Sequence, residues 1–511
     1  MTPLGVDDLV ALFRGTDEFA VLDCREEGEF VHAHLFAATN LPFSRLELTL
    51  GAAIPNRSTP IVFADDLSGS GARAARLATD IGYQDLRFLQ GGIAAWQASG
   101  LPLFSGVNLP GKAFGEYVER NLHPPSISAV TLRTRLDDGQ PTLLLDTRSP
   151  EEHAQYCLPG AIACPNGELV IRALAAVTDK ETTVVTHCGG RTRSIIGAQT
   201  LKDLGLVQPV FALENGTIGW EAIGEALEYG SDRTLPDTPA GRAAGRAAAK
   251  ALGREAGITT IDLETLHHYR SDAASSIFLI DIRSAQEFAA GHLQGARHAP
   301  GGQLIQTIDR HAVVRNARIV LTDDDGTRAT VIAYWLTRMG FPNVDVLAAT
   351  DDALRARPDQ APRAPAASCQ SIPTDGLVID IRPSLDYRNG HIPGSWFLTR
   401  ENLDRDVAIL PKTRQATLIT DEEHYAQLMA RDLARFGIQA QVLDGGYAAW
   451  IKEGNLPERG LTHLASPPND TAYFGDMLEG EAATVREDRR YIAWETALID
   501  DMFDDPSIRY S

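Results

Sequence analysis

Cysteine is scarce in this chain and follows no framework. Five occur among 511 residues. The number is odd and there is no Cys-x-x-Cys pair, which argues against structural disulfides and zinc and fits a reducing compartment. Long apolar runs are missing as well. No stretch approaches the roughly 20 residues of a membrane span, and the opening Met-Thr-Pro-Leu-Gly-Val-Asp-Asp lacks the basic and apolar character of an export signal. A cytoplasmic location is therefore expected. Nor is there an excess of positive charge. The formal net charge is -21, so nucleic acid and anionic membranes would be repelled and are not expected as partners.

What is present is ordinary globular material, 44% hydrophobic and 23% charged. A chain of this length is too long for one core, and about three to five domains are expected from size alone. One segment carries chemistry. Residues 186 to 194 read Thr-His-Cys-Gly-Gly-Arg-Thr-Arg-Ser and follow the strand-like run Thr182-Thr183-Val184-Val185. A cysteine at a strand end, followed by two glycines and a helical pattern (Ile195, Ile196, Leu201, Leu204), lies where loop amides and a helix N-terminus converge. Those amides, with Arg191 and Arg193, favour the thiolate, so Cys188 is expected to have a lowered pKa and to attack soft electrophiles such as a sulfane sulfur.

Cys188 sits inside an internal repeat of four copies. In each, an apolar strand ends in Asp-x-Arg: Asp23 to Arg25, Asp146 to Arg148, Asp281 to Arg283 and Asp380 to Arg382. An acidic or aromatic pair follows, Glu29-Phe30, Glu152-His153, Glu287-Phe288 and Asp386-Tyr387, and then a turn that is clearest as Gly390-His391-Ile392-Pro393-Gly394. The second copy departs there, with Cys157 in the histidine's place. The closing motif Leu-x-Gly-Gly-x-x-x-Trp runs from Leu89 to Trp96 and Leu443 to Trp450, and from Leu213 to Trp220 with Asn215 for the first glycine; the third copy lacks it. An equal count back from the helix-ending glycines Gly82, Gly205 and Gly340 lands on Asp65, Cys188 and Asp323. In copy four the count gives Thr420, with Asp421 beside it, so that loop is shorter or differently shaped. Aspartate in the cysteine's place keeps an anion against the amides and removes the chemistry, which suggests modules retained for structure; an acid-base or metal role for the aspartates is the alternative.

In these ordered motifs the chain resembles the rhodanese family of sulfurtransferases over most of its length, with the active loop intact in copy two alone. The alternation of short strands and helices, together with the resemblance, implies an α/β fold of four tandem domains, each a small parallel sheet with helices on both faces and its reactive crevice beyond the carboxyl ends of the strands. The expected boundaries are 1–105 for an inactive domain, 106–128 for a bridge packed between modules through Phe114, Tyr117 and Val118, and 129–229 for the active domain. A linker helix over 230–256 follows, with a basic face that is either solvated or set against acidic modules. Then come an inactive, degenerate domain over 257–357, an Ala- and Pro-rich linker over 356–367, and an inactive fourth domain closing a segment 358–464. The tail, 465–511, holds Tyr473, Phe474, Tyr491, Trp494 and Phe503, too aromatic for a free tail, and is expected to dock on a module or on the second subunit of a homodimer.

The resemblance implies a two-step relay without cofactor or metal. Cys188 takes a sulfane sulfur from a small donor (thiosulfate, mercaptopyruvate or a thiol persulfide), becomes a persulfide and passes the outer sulfur to a nucleophilic acceptor. Gly189 and Gly190 let the loop wrap the sulfur, Arg193 stands at the family's loop-closing position, and Arg191 is placed to grip a substrate anion. Thr192 and Ser194 offer hydroxyls, Ser194 also as a helix cap. His187, Asn166, Glu168, Asn215, Trp220 and Cys157 are further candidates around the pocket, His187 either as a partner or simply packed. Cys157 and Cys164 either fill apolar gaps or serve as a resolving thiol, while Cys24 and Cys369 are passive. Other readings are a carbon-sulfur bond-forming rhodanese of the thioimidazole type, a non-catalytic scaffold, and a phosphatase, which the loop length disfavours: Ser194 stands where that chemistry wants arginine.

Overall fold

The computed structural model describes residues 1–177, 179–272, 275–348, 367–372, 376–472 and 481–511, leaving aside the side chains at 481–489 and 501. Most of the 356–367 linker, and Tyr473 and Phe474 of the tail, lie outside the described residues.

Four five-stranded sheets are present, and each has the same spatial order of strands, first-fifth-fourth-second-third. Every copy thus repeats one α/β topology, and the pairings within each sheet are parallel. The central strands are apolar on both faces because helices leave neither face to water. Thr183–His187 is buried along its whole length, as is Ala20–Asp23. Helices begin where the sequence supplies caps. Ser149 and Glu152 form a reciprocal capping box, and Ser284 and Glu287 form another.

The closing motif needs two consecutive residues with positive φ. Gly91-Gly92 and Gly445-Gly446 provide them, and in copy two Asn215 (φ 58°) precedes Gly216 (φ 52°). Asparagine tolerates this left-handed region better than other side chains, which explains how it replaces the first glycine. Gly216 has no such latitude, because a Cβ there would run into the carbonyl oxygens of Cys188 and Gly190.

The chain forms two compact units. One comprises residues 1–6, 21–107 and 360–474, and so holds the first and fourth sheets. Within it Arg45 pairs with Glu422 at 2.6 Å, and Arg400 and Arg431 both bond Glu47. The other comprises residues 7–20, 108–359 and 475–511, with the second and third sheets. There the bridge becomes a helix, Leu109–Leu122, that buries Phe114 and Val118 completely.

The linker helix, Pro239–Glu255, presses Gly241 and Gly245 against the carbonyls of Ile171 and Val170. Of the two expectations for its basic face, contact prevails over simple solvation. Arg242 bonds Asp324 at 3.1 Å and Arg246 bonds Asp325 at 2.8 Å, both on the cysteine-equivalent loop of copy three. The tail docks on modules of its own unit. Its helix, Glu481–Met502, packs along the bridge helix, and Tyr510 donates its hydroxyl to the Pro110 carbonyl at 2.7 Å.

Candidate active site

All four copies share one frame. The arginine of Asp-x-Arg folds back on its aspartate (Nη2 to Oδ2 at 2.6, 2.8, 2.7 and 2.6 Å in chain order) and reaches the carbonyl eight residues on. Those carbonyls belong to Ala33, Tyr156, Gly291 and Gly390, so the guanidinium fastens the strand end to the turn. In copies one, three and four the turn histidine stacks on an aromatic ring, with centroids 3.7, 3.7 and 3.8 Å apart for Phe30–His34, Phe288–His292 and Tyr387–His391.

Copy two changes both members of that pair. The ring is His153, and the turn histidine is Cys157. His153 places Nδ1 3.0 Å from Asp146 Oδ2 and Nε2 3.0 Å from the Ser231 hydroxyl. Burial alone would raise the Asp146 carboxyl, but His187, the His153 hydrogen bond and Arg148 together hold it below the ordinary carboxylate range. Asp23 and Asp380 have the same arginine and no histidine bonded to them, and burial pushes them upward.

The cysteine loop runs from the buried strand Thr183–His187 into the helix Thr192–Asp203. The Cys188 carbonyl accepts from Thr217 N–H at 2.9 Å, and the Gly189 carbonyl from Ile218 N–H at 3.2 Å, which ties the loop to the closing motif. Arg193 and the N–H and hydroxyl of Ser194 favour the Cys188 thiolate. Burial outweighs them. Cys188 is 2% exposed, and its thiol lies above the ordinary cysteine value, raised further by Glu495. The lowered pKa expected from the sequence is thus not what this state shows, because amides and a guanidinium do not compensate for the loss of water.

The two loop arginines differ. Arg193 makes a two-pronged pair with Glu152 (2.7 and 2.8 Å) and remains next to the sulfur. Arg191 turns away. Its guanidinium is held by Glu116 at 2.7 Å, by Glu119 and by Asn215 at 3.2 Å, so it anchors the loop to the bridge helix and is not placed to grip a substrate anion. Burial raises Glu116 to about 7 despite that partner. The Thr192 hydroxyl donates to Glu495 Oε1 at 2.7 Å, and Gly190 lies against Tyr491 and Glu495 of the terminal helix. Ser194 donates its hydroxyl to the Arg191 carbonyl at 2.7 Å.

The remaining candidates scatter. Asn166 bonds the Arg193 carbonyl at 2.9 Å and so braces the loop. Glu168 instead pairs with Arg172 at 2.9 Å and with Arg328 of copy three at 2.8 Å. Trp220 and Cys157 belong to the apolar cluster with Leu144 and Val185, where burial raises the Cys157 thiol. Cys164 is wholly buried and its thiol is raised by burial. Both thiols are packed in apolar surroundings and, like Cys188, are raised by burial. His187 is completely buried with Nε2 3.9 Å from Asp146, and burial lowers its pKa. Glu152 belongs to the repeat's acidic pair, which by itself does not mark it for the site; Glu116, Glu119, Tyr491 and Glu495 lie outside the repeat, and the aromatic tail is the signal toward the last two.

The same place in the other copies is filled differently. Asp65 Oδ1 accepts from Leu67 N–H at 2.9 Å, and its Oδ2 accepts from Gly71 N–H at 2.7 Å and from the Ser70 hydroxyl at 3.0 Å. Asp323 accepts from the N–H groups of Asp325, Gly326, Arg328 and Ala329. A carboxylate therefore occupies the amide cradle, as the repeat suggested. In copy four the helix starts at Glu423, three residues after Thr420, whereas four separate Cys188 from Thr192, so that loop is one residue shorter. Among the described residues no group of three or more His, Cys, Asp or Glu side chains is arranged to hold a metal, and no helix is long and apolar enough to cross a membrane.

The rhodanese-like domain model matches residues 6–99, 128–223, 264–349 and 366–453. The chain therefore belongs to the rhodanese-like family. Among solved structures, it is similar to a thiosulfate sulfurtransferase from Pseudomonas aeruginosa, 36% identical over 100% of this chain and 99% of that one, with a TM-score of 0.91. EanB in complex with ergothioneine is 15% identical over 69% of this chain and 96% of that one; its TM-score of 0.23 is too low to bear on function. An uncharacterized Synechocystis protein is 31% identical over 97 residues, 19% of this chain. The chain spans about half, 53%, of the length of that curated relative.

Proposed function

We propose that the chain is a sulfurtransferase whose second domain moves a sulfane sulfur from a small donor to a nucleophilic acceptor through a persulfide on Cys188. The observation that carries this reading is the substitution pattern of one cradle. Where copies one and three hold an aspartate already bonded by loop N–H groups, copy two holds a thiol with Arg193 and the Ser194 N–H beside it. A thiolate formed there attacks the donor's outer sulfur, and the same dipoles hold the charge of the resulting persulfide.

Arg193 and Ser194 are assigned to that charge, Gly189 and Gly190 to close approach, and Arg191, Asn166 and Asn215 to holding the loop. The full-length likeness to a protein named thiosulfate sulfurtransferase makes thiosulfate the first donor to test. The test is mass spectrometry of the Cys188 peptide after incubation with thiosulfate, mercaptopyruvate or glutathione persulfide. A gain of one sulfur mass on Cys188 is expected with at least one donor. No gain with any of them would sink the proposal.

A further inference from the structure

Glu495 is one of the most deeply buried carboxylates of the molecule and lies outside the family repeats. It is 1% exposed. Its Oε1 accepts the Thr192 hydroxyl at 2.7 Å, which fixes the carboxylate against the cysteine loop. The Tyr491 hydroxyl interacts with the carboxylate, but Glu495 Oε2 is left without a hydrogen bond of good geometry and lies with Tyr491 and Ile492 against Gly190, 3.4 Å from where a Cβ would stand. A buried carboxylate oxygen with an unused lone pair is costly unless something completes it. The cost is incurred beside the one loop that carries a thiol, and both guanidiniums of that loop are already paired with other carboxylates.

We propose that Glu495 is the proton acceptor of the sulfur-transfer step, and that its free oxygen marks the place of an acceptor that arrives carrying a proton, namely a thiol. This rests on the Cys188 persulfide reading above. In the step, the acceptor's S–H proton passes to Glu495 Oε2 as the acceptor sulfur attacks the outer sulfur of the persulfide. A new S–S bond forms, the bond to Cys188 Sγ breaks, and its electron pair returns to Cys188 as thiolate. The sulfane sulfur moves without change of oxidation level, and Glu495 then returns its proton to the product persulfide or to Cys188. An acceptor that is already an anion, such as cyanide, has no proton to give and meets the carboxylate's charge.

The groups facing Glu495 are Lys112 and Glu116 on the bridge helix, Arg191 and Cys188 on the loop, and Tyr491 on its own helix. The Lys112 ammonium lies over the rings of Trp494, at 4.4 Å, and Tyr491, at 5.0 Å, which places a cation against this wall.

The experiment uses the full chain loaded with sulfur and compares glutathione with cyanide as acceptors for wild type, Glu495→Gln and Glu495→Asp. For Glu495→Gln the glutathione-to-cyanide ratio of kcat/KM is expected to fall by about a hundredfold. Its residual glutathione turnover should rise with pH as the acceptor ionises by itself, and Glu495→Asp should recover part of the ratio. Equal losses with both acceptors in Glu495→Gln, or an unmoved ratio and pH profile, overturn the proposal and leave Glu495 a structural tie to Thr192. Absence of any persulfide on the wild-type chain would instead fail the underlying reading.

Discussion

The loops of copies two and three are the same device carrying different side chains. Each follows a buried strand, each starts its helix four residues after the cradled side chain, and each is backed by Asp-x-Arg. Asp323 takes up four N–H groups and its cradle is saturated. The thiol of Cys188 has no such saturation; its loop is held by Glu152 of the same copy through Arg193, and from outside the copy by the bridge helix through Arg191 and the terminal helix through Thr192. Copy three keeps the equivalent arginine contact, Arg328 with Glu287 as Arg193 with Glu152, and adds to it. Arg328, buried, binds Glu168 of copy two, Glu287 and Asp324 at 2.8, 2.9 and 3.0 Å, so the position is spent on joining modules. Copy three satisfies its cradled carboxylate within the loop, whereas the cysteine loop of copy two is held through contacts that reach beyond it.

The contrast can be broken in graded ways. The largest expected effect is Cys188→Ser, which should reduce sulfur loading and turnover to background, measured with the donor that loads wild type. Arg328→Ala should cost about 3 to 5 kcal/mol in a denaturant titration, because three carboxylates lose a buried partner. Asp323→Ala should cost about 2 kcal/mol by stranding buried N–H groups, and leave the turnover of folded protein near wild type. Asp323→Cys sharpens the same point: burial and Asp325 should keep that thiol protonated, so its peptide should gain no sulfur.

The pH profile is subtler. Since the Cys188 pKa is raised, the thiol is protonated at neutral pH, and the loading rate should climb with pH past the ordinary cysteine value of about 8.5. Glu152→Gln should move the rise to lower pH by leaving the Arg193 charge to the sulfur. A profile flat from neutrality upward would contradict the raised value. Arg246→Ala, at an exposed pair, should change stability by less than about 0.5 kcal/mol.

The fold was legible because Asp-x-Arg and the turn recur in order four times and the closing motif three times, and each has a physical duty that the structure shows: arginine back-bonding, positive φ at Asn215 and Gly216, a helix-ending glycine. The cradled positions 65, 188 and 323 followed from a count alone. What the sequence could not show was where long side chains spend their charge. Arg191 and Arg193 are two residues apart and look equivalent, yet one is turned to the bridge helix and the other to Glu152 beside the sulfur. Glu168 reads like a pocket residue and is an ion-pair partner for copy three. Glu116 and Glu495 lie on helices with no family pattern, and only packing brings them to the loop.

Thr192 and Glu495 are 303 residues apart. During synthesis the cysteine loop of copy two leaves the ribosome long before the helix that covers it, so a nascent chain carries a thiol without its wall. Whatever depends on that wall can form only after translation has passed residue 495.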